Sequence, residues 1–167
     1  MKCLNSYDLT PGEVIHLPGR NVDIFGPTEA DEKDLKNFVL GGQRIDFVSV
    51  PFVRKAEEIQ KIREILGIEG AHIKIFAKIE NHEGLENFDS ILQISDGVII
   101  MRKILGLELP AEKVFLAQKW MTWRANLASK TVIVASNILD TMETSLRIKE
   151  SECIDVASLI IDGCDCI

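Results

Sequence analysis

The sequence predicts an α/β fold in which βα units repeat along a parallel sheet, and three observations carry that prediction. From Ile45 onward, apolar runs of strand length alternate with segments of helical period. Turn and cap residues punctuate the junctions, as at Gly67, Pro110 and Gly163. The polar residues with chemical potential stand where strands end: Arg54 after the first, Lys78 and Glu80 after the second, Arg102 after the third, Ser136 after the fourth. In parallel α/β architectures, and in (β/α)8 barrels above all, that edge is where sites are assembled.

Leu17-Pro18-Gly19 reads as a turn, and Thr28-Glu29-Ala30-Asp31 as a capping box for a helix from Asp31 to about Leu40, closed by Gly41-Gly42. Ile45 to Val50 is the first strand. It leads into a helix from Arg54 to Leu66, where Ile59, Ile62, Ile65 and Leu66 recur at helical spacing and Gly67 ends the helix. Ile73 to Ile79 is the second strand, followed by a helix from about Glu83 to Leu92 with Leu85, Phe88, Ile91 and Leu92 on one face. Val98 to Met101 is a short, wholly apolar third strand. Pro110 opens a longer helix, where its missing N–H costs nothing, and Val114, Ala117, Met121 and Ala125 form the stripe. Trp120 and Trp123 lie on that helix and read as packing residues. Thr131 to Ala135 is the fourth strand. Ser151 is placed to cap a helix running to Ile161, Gly163 to end it, and Cys164 to Ile167 to begin another strand. A full barrel takes about 250 residues, so 167 hold a little over half of one.

With 46% hydrophobic residues the chain can bury the core of one domain. Acidic residues outnumber basic ones, 26 to 19, and no block of like charge occurs, which argues against nucleic-acid and polybasic membrane roles. Met1 to Thr10 lacks the apolar core of a signal peptide, and no apolar run approaches the ~18 residues of a membrane span, so the expected location is cytoplasmic. Cys3, Cys153, Cys164 and Cys166 lack zinc-site spacing and read as reduced thiols.

The most informative stretch is Lys78-Ile79-Glu80-Asn81-His82-Glu83-Gly84. Residues i and i+2 of a strand share a side, so Lys78 and Glu80 can share one site. A cation beside a carboxylate at a strand end suits an anionic substrate that carries a metal ion. With Phe52-Val53-Arg54-Lys55-Ala56, the run Leu109-Pro110-Ala111-Glu112-Lys113-Val114-Phe115-Leu116-Ala117-Gln118-Lys119, Asp155-Val156-Ala157 and Asp162-Gly163-Cys164-Asp165-Cys166, that stretch resembles the pyruvate kinase family. The likeness covers the second half of the family's catalytic (β/α)8 domain. It implies a remnant of the lid-domain return segment at residues 1–16 and a partial TIM barrel at residues 17–167, truncated at the final strand.

The resemblance implies phosphoryl transfer between phosphoenolpyruvate and ADP, giving pyruvate and ATP in glycolysis, with Mg2+ or Mn2+ and K+ as cofactors. By resemblance Lys78 stabilises charge on the transferring group and binds substrate. Glu80 matches one of two carboxylates on the divalent metal. Arg102 lies in the family's ARGDLG loop as a catalytic position, and Ser136 matches a threonine lining the proton-transfer side of the substrate. His82 reads as a helix-start residue, or one that supports the site from behind, rather than a base. The pattern breaks at Met101-Arg102-Lys103-Ile104-Leu105-Gly106, where Ile104 stands in place of the second metal-binding aspartate and Lys103 in place of a glycine. An apolar side chain cannot ligate a hard cation, and the added ammonium repels it, so the divalent site is expected to be weakened. Pro51 replaces a serine near the monovalent-cation and nucleotide side. In the segment Leu146 to Glu152, Glu150 reverses a charge and Glu152 alone survives from the end of the family motif. The expectation is a pyruvate kinase family polypeptide with impaired catalysis. The alternative is a non-catalytic scaffold that associates with full-length subunits or with itself.

Overall fold

A computed structural model describes residues 6, 8, 10–12, 16–19, 26–42 and 44–167 of the chain. Residues 1–16, read above as the lid-domain return, fall largely outside the described ones.

The first helix, α1 (Glu29–Leu40), begins at the capping box expected for it. The Asp31 N–H donates to Thr28 Oγ1 at 3.3 Å, and the Thr28 N–H donates to Asp31 Oδ2 at 2.9 Å. Four strands follow, β1 (Phe47–Val50), β2 (Lys74–Ile79), β3 (Gly97–Met101) and β4 (Thr131–Ala135), in the spatial order of the sequence and all parallel. Between them run α2 (Ala56–Leu66), the pair α3 (His82–Glu86) and α4 (Phe88–Ile94), then α5 (Arg102–Glu108) and α6 (Ala111–Leu127). A 3-10 turn (Asp140–Glu143) and α7 (Glu150–Ile161) follow β4. Beyond β4, Ile133 makes an isolated parallel bridge with Cys166, so the last residues begin to line up as a fifth strand, as their sequence implied.

Alternation along the strands sorts the two faces of the sheet. Ile75, Ala77 and Ile79 of β2, Val98 and Ile100 of β3, and Val132 and Val134 of β4 are fully buried. They share one core with Ile59, Ile62 and Leu66 of α2, Phe88, Ile91 and Leu92 of α4, Met121 and Ala125 of α6, and Leu159 of α7. The opposite face carries Phe47, Ser49, Phe76, Lys78 and Ile133, which are exposed or half-buried. Gly97 lies on that second face, where a Cβ would come within 2.4 Å of the Phe76 ring and 2.7 Å of the Thr131 carbonyl.

Three local expectations are corrected. The single helix expected from Glu83 to Leu92 is two, because Asn87 leaves helical geometry and its side-chain amide donates to the Arg54 carbonyl at 2.9 Å. The stretch read as the ARGDLG loop is helical from Arg102. Lys103 and Ile104, which stand where the resemblance puts glycine and aspartate, are both better helix formers than those residues. Lys149, not Ser151, is the N-cap of α7: the Glu152 carboxylate accepts the Lys149 N–H at 3.2 Å and fixes the start two residues earlier. No helix among the described residues is long and apolar enough to cross a membrane.

Candidate active site

Strand β2 delivers Lys78 and Glu80 to the edge of the sheet as their two-residue spacing requires. Lys78 Nζ lies 2.9 Å from Glu80 Oε1, with the lysine side chain 24% exposed and the glutamate 2%. The other carboxylate oxygen, Oε2, accepts the N–H of Phe52 at 3.2 Å, which ties β2 to the turn that follows β1. Phe52 has φ 51°, a left-handed backbone that a bulky side chain rarely adopts.

The rest of the Lys78–Gly84 stretch is architectural. Asn81 caps α3, its Oδ1 accepting the Gly84 N–H at 2.7 Å. A Cβ on Gly84 would sit 2.4 Å from the Val53 carbonyl oxygen, so only glycine lets α3 approach the β1–α2 turn this closely. His82 opens α3, as read from the sequence, and is exposed with Nδ1 3.5 Å from Glu86 Oε1.

A second cluster forms at the ends of β3 and β4. Arg102 is only 12% exposed, and its guanidinium holds Asp155 bidentately, Nη1 to Oδ1 and Nη2 to Oδ2 at 2.7 Å each. Its Nε donates to the Ser136 carbonyl at 3.2 Å and its Nη2 to the Asn137 carbonyl at 2.6 Å. Those carbonyls belong to a loop in which Ser136, Asn137 and Leu139 have φ of 68°, 55° and 56°. The clamp therefore holds a strained loop onto α5 and α7. Ser136 Oγ accepts the Lys103 N–H at 3.1 Å and donates to the Ala135 carbonyl at 2.6 Å. Asp155, quoted in the sequence only as part of a motif, is the partner that sequence reasoning did not assign to Arg102. It is 53 residues from Arg102, a pairing with no local pattern to announce it.

The structure thus joins Lys78 to Glu80, and Arg102 to Ser136, in neighbouring clusters along one sheet edge. A cleft of about 1110 Å³ beside β1, lined by Leu35, Val48, Pro51, Phe52 and Asn81 among others, includes none of those four. Lys103 is exposed and Ile104 half-buried at the start of α5.

The second carboxylate that a divalent site of this kind would need is missing from the donor set. Glu80 is buried with both oxygens engaged inside the protein, and the side chain at 104 is a hydrocarbon. Among the described residues no three His, Cys, Asp or Glu side chains come together as ligands would.

The family model for the barrel domain of pyruvate kinase matches residues 1–167. The chain is 50% identical to pyruvate kinase PKLR of Homo sapiens over 153 residues, 92% of this chain and 26% of that protein. It is 46% identical to pyruvate kinase of Eimeria tenella over 153 residues, 92% of this chain and 29% of that protein. With pyruvate kinase of Agaricus bisporus it shares 41% identity over 167 residues, all of this chain and 31% of that protein. It therefore spans between a quarter and a third of the length of these relatives. Parallel βα units and a family match along its whole length agree: the chain belongs to the pyruvate kinase family, as part of its barrel domain.

Proposed function

We propose that the chain carries the substrate-facing strand ends of a site for phosphoryl transfer between phosphoenolpyruvate and ADP, and that it does not turn over by itself. Lys78 would meet the transferring phosphoryl group, because its ammonium stands at a strand end with part of its surface open to solvent. Ser136 would face the substrate, and Arg102 would keep that hydroxyl in place by holding the loop around it. Residues 17–167 would be the barrel portion and residues 1–16 the return from a lid domain, in a cytoplasmic glycolytic setting.

The observation that carries the second half of the proposal is the state of Glu80 beside Ile104. Phosphoryl transfer depends on neutralising charge spread over several oxygens, and enzymes of this chemistry gather several cationic groups for it. Here Lys78 is already paired with Glu80, and Ile104 offers no ligand for Mg2+ or Mn2+. Pro51 likewise supplies no hydroxyl on the side where the family resemblance puts K+.

The test is pyruvate formation by the purified, folded chain supplied with phosphoenolpyruvate, ADP, Mg2+ and K+. The expected result is no turnover above the protein-free blank. Turnover that Lys78→Ala abolishes would show a complete site and overturn the proposal.

A second reading, a non-catalytic scaffold that associates with full-length subunits or with itself, is favoured by the outer side of α6. Leu116, Trp120, Trp123 and Leu127 recur there at helical spacing and are 40% to 63% exposed.

A further inference from the structure

Glu80 occupies a position whose family role is to bind metal, yet its surroundings in this chain describe another task. Its carboxylate is buried, with Lys78 Nζ 2.9 Å from one oxygen and the Phe52 N–H donating to the other at 3.2 Å. The residue it grips is the strained one. Phe52 sits at φ 51° immediately after Pro51. Proline fixes its own φ and is at home at the first corner of a turn, whereas the second corner with positive φ is usually glycine or asparagine. A non-glycine residue there costs about 1–3 kcal/mol and persists only when its surroundings hold it.

A buried carboxylate needs its charge answered, and Lys78 answers it. Each oxygen of Glu80 already holds one partner, and the second carboxylate that the resemblance would pair with it on an ion is replaced by Ile104. Turning the carboxylate away from either partner would leave a buried polar group without its bond, which is the costly side of hydrogen-bond energetics.

We infer that Glu80 is a positioning residue in this chain: it pins the Pro51–Phe52 turn and serves as the counter-charge of Lys78, and it does not ligate a divalent ion. The inference rests on the reading that no divalent centre is made, and adds what Glu80 does instead. Its consequence is that the turn, and the open rim of the site beside it, are organised without metal.

The test compares urea unfolding and Mn2+ binding, the latter by electron paramagnetic resonance, for the unaltered chain, Glu80→Gln and Glu80→Ala. Glu80→Ala is expected to lower the folding equilibrium constant about 10- to 100-fold, the range for losing a buried acceptor. Glu80→Gln keeps an acceptor for Phe52 and is expected to cost less. Neither change is expected to alter Mn2+ binding. In a Phe52→Gly background, which relieves the left-handed strain, the penalty of Glu80→Ala is expected to shrink. An unchanged penalty in that background would overturn the inference, as would a loss of about tenfold or more in Mn2+ affinity with Glu80→Gln.

Thermal unfolding of the unaltered chain with and without millimolar Mn2+ tests the claim even if the variants fail to fold. No change in midpoint supports it, and a rise reversed by EDTA overturns it. Lys103→Gly with Ile104→Asp is the positive control, expected to gain Mn2+ affinity that Glu80→Gln then removes. A pyruvate assay on the unaltered chain separates failure of the functional reading from failure of this one, because neither binding nor unfolding depends on turnover.

Discussion

Gly84 has no side-chain chemistry, yet it fixes how close α3 can come to the β1–α2 turn. A methyl group there would press to 2.4 Å on the Val53 carbonyl, an atom of the backbone that cannot swing aside. Gly84→Ala is therefore expected to destabilise the fold by about 1–3 kcal/mol, the usual cost of overpacking. Gly106→Ala is the contrast: the nearest atom to its Cβ is Val114 Cγ2 at 3.9 Å, and the residue lies within α5. There the helix preference of alanine should add about 0.5–1 kcal/mol. Urea midpoints of the two variants, shifted in opposite directions, would confirm both; a neutral Gly84→Ala would mean that the turn yields. At this scale the contact between Lys78 and Glu80 was legible, because a strand repeats every two residues. The use of Glu80 by Phe52 was not, since 28 residues separate them.

Among the elements, Asp96 is the knot. Lying between α4 and β3, it reaches Arg63 of α2 with Oδ2 at 2.5 Å, accepts the Ile75 N–H of β2 at 2.8 Å on the same oxygen, and has Lys74 Nζ 3.5 Å from Oδ1. Burial pushes its carboxyl pKa up, but the Arg63 and Ile75 hydrogen bonds and the charges of Arg63 and Lys74 together hold it below the ordinary value. A folded-state pKa below the unfolded one means that the stabilisation is present in full above the unfolded value, near about 3.9. It is lost as pH falls through the lower, folded value. Asp96→Asn is expected to cost about 1–2 kcal/mol at neutral pH after allowing for partial exposure, and to lose less stability than the unaltered chain on acidification. Urea midpoints measured from neutral pH down through the carboxylate range check this, and parallel acid limbs would contradict it. The repeated βα units and the long α6 were legible from apolar spacing and from Pro110. The break at Asn87 and the start of α7 at Lys149 were not, because each is fixed by a side-chain bond rather than by periodicity.

The whole molecule presents α6 as a helix with two apolar sides. Met121 and Ala125 are fully buried against the sheet, while Leu116, Trp120, Trp123 and Leu127 face outward. An exposed stripe of that composition favours association. Sedimentation velocity is expected to show mass rising with protein concentration, and Trp123→Glu with Leu127→Glu to abolish the rise while leaving the unfolding midpoint nearly unchanged. A single monomeric species throughout would remove the support for the scaffold reading.

Sequence by itself determined the βα repeat, the parallel sheet and the placement of Lys78, Glu80, Arg102 and Ser136 at strand ends, because periodicity and turn chemistry are local properties written residue by residue. It also showed that Ile104 could not ligate a cation. Only the tertiary structure decided what these residues touch. Arg102 is spent on Asp155 and on two carbonyls of a strained loop, and Glu80 on Lys78 and the Phe52 amide, since packing brings together groups far apart in the chain and a buried polar group must find its partner wherever the fold places one.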